Sequence, residues 1–138
     1  MRPVGAQPLG AAGFNHDGTS DIAWYNPTSG NVDIWQIVNG ALNGVFNVGS
    51  HPLGWTPAGI GEFNDDGTSD IVWYNSATGN VDLWQIVNAQ WAGSVSLGSH
   101  PPGSVPSGVG DFNHDFTSDI LWREAGTGVI DEWLVSNV

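Results

Sequence analysis

Three stretches of the chain place oxygen-bearing side chains at alternate positions. Glu62, Asn64, Asp66 and Asp70 stand at positions 1, 3, 5 and 9 of the first such stretch, with Thr68 at position 7. Asp111, Asn113, Asp115, Thr117 and Asp119 repeat that spacing. Asn15, Asp17, Thr19 and Asp21 repeat it again, with Gly13 where the first acid should be. A tight loop of this kind aims its carboxylates, its amide oxygen and the threonine main-chain carbonyl at one centre. That is the chemistry of calcium, which takes six to eight hard oxygens at about 2.3–2.6 Å. It is not an EF-hand loop: position 12, where that loop needs Glu, is Trp24, Trp73 or Trp122. The loops are unequal. Glu62–Asp70 has every ligand and Gly67 at the tight sixth position; Asp111–Asp119 has Phe116 there; Gly13–Asp21 has lost a carboxylate. Calcium affinity is expected to fall in that order, and the Phe116 loop is expected to bend differently. The competing reading is that the Asp and Asn side chains cap their own turns; the threefold recurrence favours the cation.

Six tryptophans recur in phase, Trp24, Trp73, Trp122 and Trp35, Trp84, Trp133, and are expected to be packing residues. Trp55 and Trp91 have no counterpart in the other copies. They are placed in or near connecting loops as candidate stacking platforms for a sugar. Tyr25 and Tyr74, beside Asn26 and Asn75 and matched by Arg123, form a second candidate sugar contact. His51 and His100 each precede a proline, with Arg2 in that place in the first copy; His16 and His114 occupy loop position 4, expected to face outward. Asp33, Asp82 and Asp131 recur as structural hydrogen-bond acceptors. There is no zinc spacing, nucleophile elbow, phosphate loop or lysine, so an enzyme is not expected.

These residues need elements to hold them. The pairs Phe14-Asn15, Phe63-Asn64 and Phe112-Asn113 recur every 49 residues without insertion. The copies run over 2–50, 51–99 and 100–138, the third ending short of a match for Ala89 to Ser99. A fixed period of this length marks a repeat architecture. Dense glycine and proline argue against long helices. In the second copy strands are predicted at Pro57–Phe63, Asp70–Asn75, Asn80–Val87 and Trp91–Leu97. The third of these is apolar on both faces, as in a small sheet stacked between two others. The expected fold is all-β: β-propeller blades of four antiparallel strands, the third blade lacking its last.

The 138 residues carry 2 basic and 14 acidic side chains, a net charge of −12. Such a chain is not expected to bind nucleic acid or anionic lipid. There is no cysteine, so no disulfide and no thiolate metal site. No apolar run is long enough to span a membrane, and Met1 to Leu9 do not read as a signal peptide.

The segment Glu62–Asp70, with Gly110-Asp111-Phe112-Asn113 and Asp119-Ile120-Leu121-Trp122-Arg123, resembles the FG-GAP repeat family. That family includes the calcium-binding blades of integrin α-subunit propellers and the bacterial VCBS-type repeats. The resemblance spans the whole chain and departs from the pattern at Gly13 and Phe116. It implies a secreted or extracellular calcium-binding propeller. Three blades are fewer than the four to eight of closed propellers. The expectation is a homo-oligomer, a dimer closing a six-bladed ring. The expected function is a multivalent binding module, a carbohydrate-binding lectin in one form. The alternative is a structural or adhesive repeat, natural or engineered for self-assembly, without a small ligand.

Overall fold

The computed structural model describes residues 3–136 and 138. Among the described residues the fold is all-β, with eleven strands in three antiparallel sheets. The first sheet joins β1 (Gln7–Ala12), β2 (Asp21–Tyr25), β3 (Asn31–Val38) and β4 (Ala41–Ser50) in sequence order. The second joins β5 (Trp55–Gly61), β6 (Asp70–Asn75), β7 (Asn80–Val87) and β8 (Gln90–Ser99) in the same way. The third joins β9 (Ser104–Gly110), β10 (Asp119–Glu124) and β11 (Ile130–Trp133). Of the strands predicted for the second copy, the two middle ones fall where the sequence places them. The first starts and stops two residues earlier, because Phe63 leaves the strand to plug the loop. The last starts at Gln90, because Asn88 and Ala89 both take positive φ (52° and 61°) and close a two-residue hairpin.

Local chemistry explains the shape. Pro8, Pro57 and Pro106 sit at register shifts in the first strand of each sheet. A proline there leaves no ladder bond unmade, because these strands lie at a sheet edge. Gly30 and Gly79 end the turns after β2 and β6 at φ 78° and 79°. A Cβ on either would lie 2.2 Å from the carbonyl oxygen of His51 or His100, so only glycine fits. The amides of those histidines donate back to Gly30 and Gly79 at 3.1 and 3.0 Å.

The sheets stack face to face through two apolar clusters. In one, Val32 and Ile34 of the first sheet and Phe14 of its acidic loop pack on Ile71, Trp73 and Ile86 of the second sheet. In the other, Val81 and Leu83 of the second sheet and Phe63 of its acidic loop pack on Ile120, Trp122 and Val135. Every residue named here except Val81 and Val135 is fully buried, and those two are 1% and 7% exposed. Small residues let the first strands of adjacent sheets approach. A Cβ on Gly59 would meet Val109 at 2.5 Å, and one on Gly10 would meet Ile60 at 2.9 Å.

Main-chain bonds join the sheets at their loops. Ser69 N donates to Gly13 O at 2.8 Å, and the equivalent Ser118 N donates to Glu62 O. Ala89 N donates to Phe14 O at 2.8 Å.

Candidate functional site

The three acidic loops share one backbone course. Position 4 takes a left-handed φ in each (His16 67°, Asp65 55°, His114 63°), and so does position 6 (Gly18 83°, Gly67 85°, Phe116 72°). The Phe116 loop is therefore not bent differently at that residue. It accepts a conformation that disfavours a side chain by about 1–2 kcal/mol, and leaves the ring 70% exposed.

The closing aspartates Asp21, Asp70 and Asp119 are fully buried. Asp70 accepts from Phe63 N at 3.3 Å with one oxygen and from Ile86 N at 3.0 Å with the other. Asp21 does the same with Phe14 and Ile37, and Asp119 with Phe112 and Val135. Each aspartate thus ties its loop to the third strand of its sheet or the residues just after it. The fifth-position acids cap the seventh residue: Asp66 accepts from Thr68 N and Oγ1 at 2.9 and 3.0 Å, and Asp17 and Asp115 do likewise. Hydroxyl and amide donation from Thr19 holds the Asp17 carboxyl below the usual range. Amide and hydroxyl donation from Thr117 does so for Asp115. Thr68 Oγ1 also donates to Ile86 O at 2.5 Å.

Position 1 separates the loops. Glu62 accepts from Gly67 N at 2.6 Å and Asn64 N at 3.2 Å. Asp111 accepts from His114 N, Asp115 N and Phe116 N. The first loop has Gly13 and no such acceptor.

Among the described residues, no three acidic or histidine side chains form a ready-made cation cage. The second loop nevertheless differs from the others in a way that bears on a cation. Asn64 Oδ1 is buried with no hydrogen-bond partner, whereas Asn15 Oδ1 and Asn113 Oδ1 accept from Asp17 N and Asp115 N. The Asp70 carboxyl is pushed up to about 7, by burial first and then by the charges of Asp66 and Glu62, against the pull of the Ile86 and Phe63 amides. An orphaned buried carbonyl oxygen among crowded carboxylates is a donor set that suits a hard cation.

His16 and His114 are exposed, as expected, but His16 also makes a contact the sequence did not announce. Its Nε2 lies 2.7 Å from Asp66 O and bridges the first and second loops.

Trp55 and Trp91 lie on strands, each close to a connecting loop: Trp55 opens β5, and Trp91 is the second residue of β8. They come together in space. Both line a cleft of about 530 Å³ between the first and second sheets, with His51, Asp82, Trp84 and Ser94. Trp91 is 49% exposed, so its face is available. Trp55 also borders a second cleft, of about 660 Å³, whose lining includes Tyr25, Leu53 and Gln7. Tyr25 is buried, edge-on to Trp73 at 5.6 Å, with its hydroxyl 3.5 Å from Trp55 O. Burial raises its pKa. Tyr74 repeats the arrangement against Trp122, donating to Ser104 O at 3.2 Å, and borders a smaller cleft. Asn26 and Asn75 do not join either tyrosine; their Oδ1 atoms cap the turns at Thr28 and Ala77.

In the wall of the tryptophan cleft stands an arrangement that the sequence hid. His51, 4% exposed, stacks on Trp73 at 4.4 Å and meets Asp82 Oδ2 through Nε2 at 3.0 Å. His100 repeats this with Trp122 and Asp131, at 4.3 and 3.0 Å. Each pair is separated by 31 residues, and no local motif announces it. Arg2, which stands in the histidine's place in the first copy, lies outside the described residues.

Comparison of the chain with protein-family models, with curated proteins and with solved structures finds no match. The geometry of the chain itself therefore carries the functional reading.

Proposed function

We propose that the chain is three adjoining blades of a β-propeller that bind carbohydrate in the cleft between the first and second sheets. The consecutive antiparallel order of each sheet, the face-to-face stacking and the glycine-lined approach of the first strands support the blade reading. One observation carries the binding reading. The two tryptophans that break the repeat, 36 positions apart in sequence, line the same cleft. Indole faces are platforms for the apolar face of a sugar ring, and Asp82 and Ser94 supply polar contacts. Asp82 is the one acidic residue of that lining, and His51, its one imidazole, is bonded to it at 3.0 Å. With no lysine or arginine in the lining, the cleft suits neutral rather than acidic saccharides.

Calcium has a structural part in this reading. Glu62, Asn64, Asp66, the Thr68 carbonyl and Asp70 would hold it, and Asp111–Asp119 would form a weaker site. The ion would neutralise the crowded carboxylates and staple the first strand of a sheet to the second. The test is a glycan array in calcium and in chelator, run with the wild type and with Trp91→Ala. Binding of neutral saccharides that Trp91→Ala abolishes is expected. An array with no binding, or binding that Trp91→Ala leaves intact, sinks the proposal.

A structural or adhesive repeat with no small ligand is the second reading. It is favoured by the loop carboxylates, nearly all of which already accept main-chain N–H groups. A silent array together with a calcium-independent melting temperature would select it.

A further inference from the structure

Asp33 and Asp82 stand at the same place in successive sheets, and their carboxylates are bonded differently. In the first sheet Asp33 is paired across the ladder with Asn47, whose Nδ2 donates to Asp33 Oδ1 at 2.9 Å. In the second sheet Asp82 is paired with Ser96, whose Oγ accepts from Gly98 N at 3.4 Å instead. The shorter side chain makes no bond to the carboxylate. Among the described residues His51 alone donates to Asp82, and it does so at Oδ2. Oδ1 therefore has no protein donor. The ring that holds Oδ2 is itself locked, 4% exposed and stacked on Trp73. The other oxygen belongs to a side chain that is 22% exposed, in the wall of the cleft that Trp55 and Trp91 line. Three departures from the repeat thus fall at one joint. The counterparts of Trp55 are Ala6 and Ser104, that of Trp91 is Leu42, and that of Ser96 is Asn47.

We propose that Asp82 Oδ1 accepts a hydroxyl of the bound sugar, and that serine at position 96 is the specificity determinant that leaves this oxygen free. The inference rests on the reading of the cleft as a saccharide site. It names what that site selects: a neutral pyranose with an apolar face for the indoles and a hydroxyl donor at its edge. An indole face supplies contact area without fixing which hydroxyl lies where. A carboxylate oxygen makes the stronger, charge-assisted bond, and with His51 fixing Oδ2 its direction is set before the ligand arrives. A ring lacking that hydroxyl would shut the oxygen away from water with no donor, so the site rejects it. An asparagine at position 96 would repeat the bond that Asn47 makes to Asp33, and would compete with the sugar for the same lone pairs.

Isothermal calorimetry with neutral methyl hexopyranosides and their monodeoxy counterparts tests it. The wild type is expected to bind at least one parent glycoside, and one monodeoxy form of it about tenfold more weakly. Ser96→Asn is expected to lose a similar factor against the parent without lowering the urea midpoint, because it adds a bond to the fold. Against that monodeoxy form Ser96→Asn is expected to change little, because the bond it displaces is already gone. Ser96→Leu is close to asparagine in size but has no donor, and is expected to bind as the wild type does. Should Ser96→Asn fail to fold, the monodeoxy series on the wild type decides alone. Equal affinity for every monodeoxy form, a Ser96→Asn variant that binds as tightly as the wild type, or an equal loss in Ser96→Leu overturns the inference. In each of those cases a loss of binding in Trp91→Ala still upholds the saccharide site. A wild type that binds no glycoside overturns the saccharide reading and this inference together.

Discussion

His51 presents Nε2 to Asp82 at 3.0 Å across the joint between the first and second sheets, with its ring stacked on Trp73. The buried imidazole has no other partner: Nδ1 makes no hydrogen bond. Asp82→Ala should therefore strand a buried donor and lower stability by about 1–3 kcal/mol. Asp131 makes the same bond to His100 but is 59% exposed, against 22% for Asp82, so water can replace it. Asp131→Ala should lose less than half as much. Urea unfolding of the two variants side by side measures the difference.

Gly13 leaves the first loop without the carboxylate that Glu62 and Asp111 supply. Its φ is not left-handed, and a Cβ there would meet nothing closer than Thr19 O at 3.7 Å. Gly13→Asp should give the Gly18 amide an acceptor and raise stability by about 1 kcal/mol even in chelator. A midpoint in urea that fails to rise would show that the position is not equivalent to Glu62.

Phe116 holds φ 72° with its ring largely in water. Little packing is lost on removing it. Phe116→Gly should stabilise the chain by about 0.5–1 kcal/mol, the αL penalty less the extra chain entropy of glycine. Thermal unfolding of the two proteins decides it.

Asn64 buries an oxygen with no donor. With calcium bound, the wild type should melt several degrees higher than in chelator. Asn64→Ala should lose most of that increment while changing little in the chelated protein. Isothermal calorimetry supplies the second readout: an equal heat for wild type and variant would exclude Asn64 as a ligand.

Trp91 and Trp73 make the sharpest contrast among the tryptophans. Trp73 is fully buried, and Trp73→Ala should lower stability by about 3–5 kcal/mol. Trp91 is half-exposed, and Trp91→Ala should change stability by less than about 1 kcal/mol. A large loss at Trp91 would make it a packing residue instead of a binding platform.

The central strands were legible because their signal is local. Asp70–Asn75 and Asn80–Val87 are apolar on both faces and bounded by turn residues, and they form β6 and β7 as predicted. The loops were legible as loops but not in their bonding. Spacing places Asp70 beside Glu62 and Asp66, yet its oxygens are taken by the amides of Phe63 and Ile86, and Ile86 reaches it only once β7 is folded beside β6. His51 and Asp82 could not be paired from sequence, because sheet stacking alone brings them together. Glu132 stands where Ile34 and Leu83 stand in the other copies. Its meaning depended on knowing which side of the sheet that position faces.

The loop-to-loop bonds between neighbouring sheets run from Ser69 N to Gly13 O and from Ser118 N to Glu62 O. The acceptor residue is glycine in one case and glutamate in the other, and the bond forms in both, because only main-chain atoms take part. A freshly duplicated gene segment of this length would encode a unit that docks on its parent at once, before any side chain had diverged. Side chains would then be free to diverge, as Trp55, Trp91 and Glu132 depart from their counterparts in the other copies.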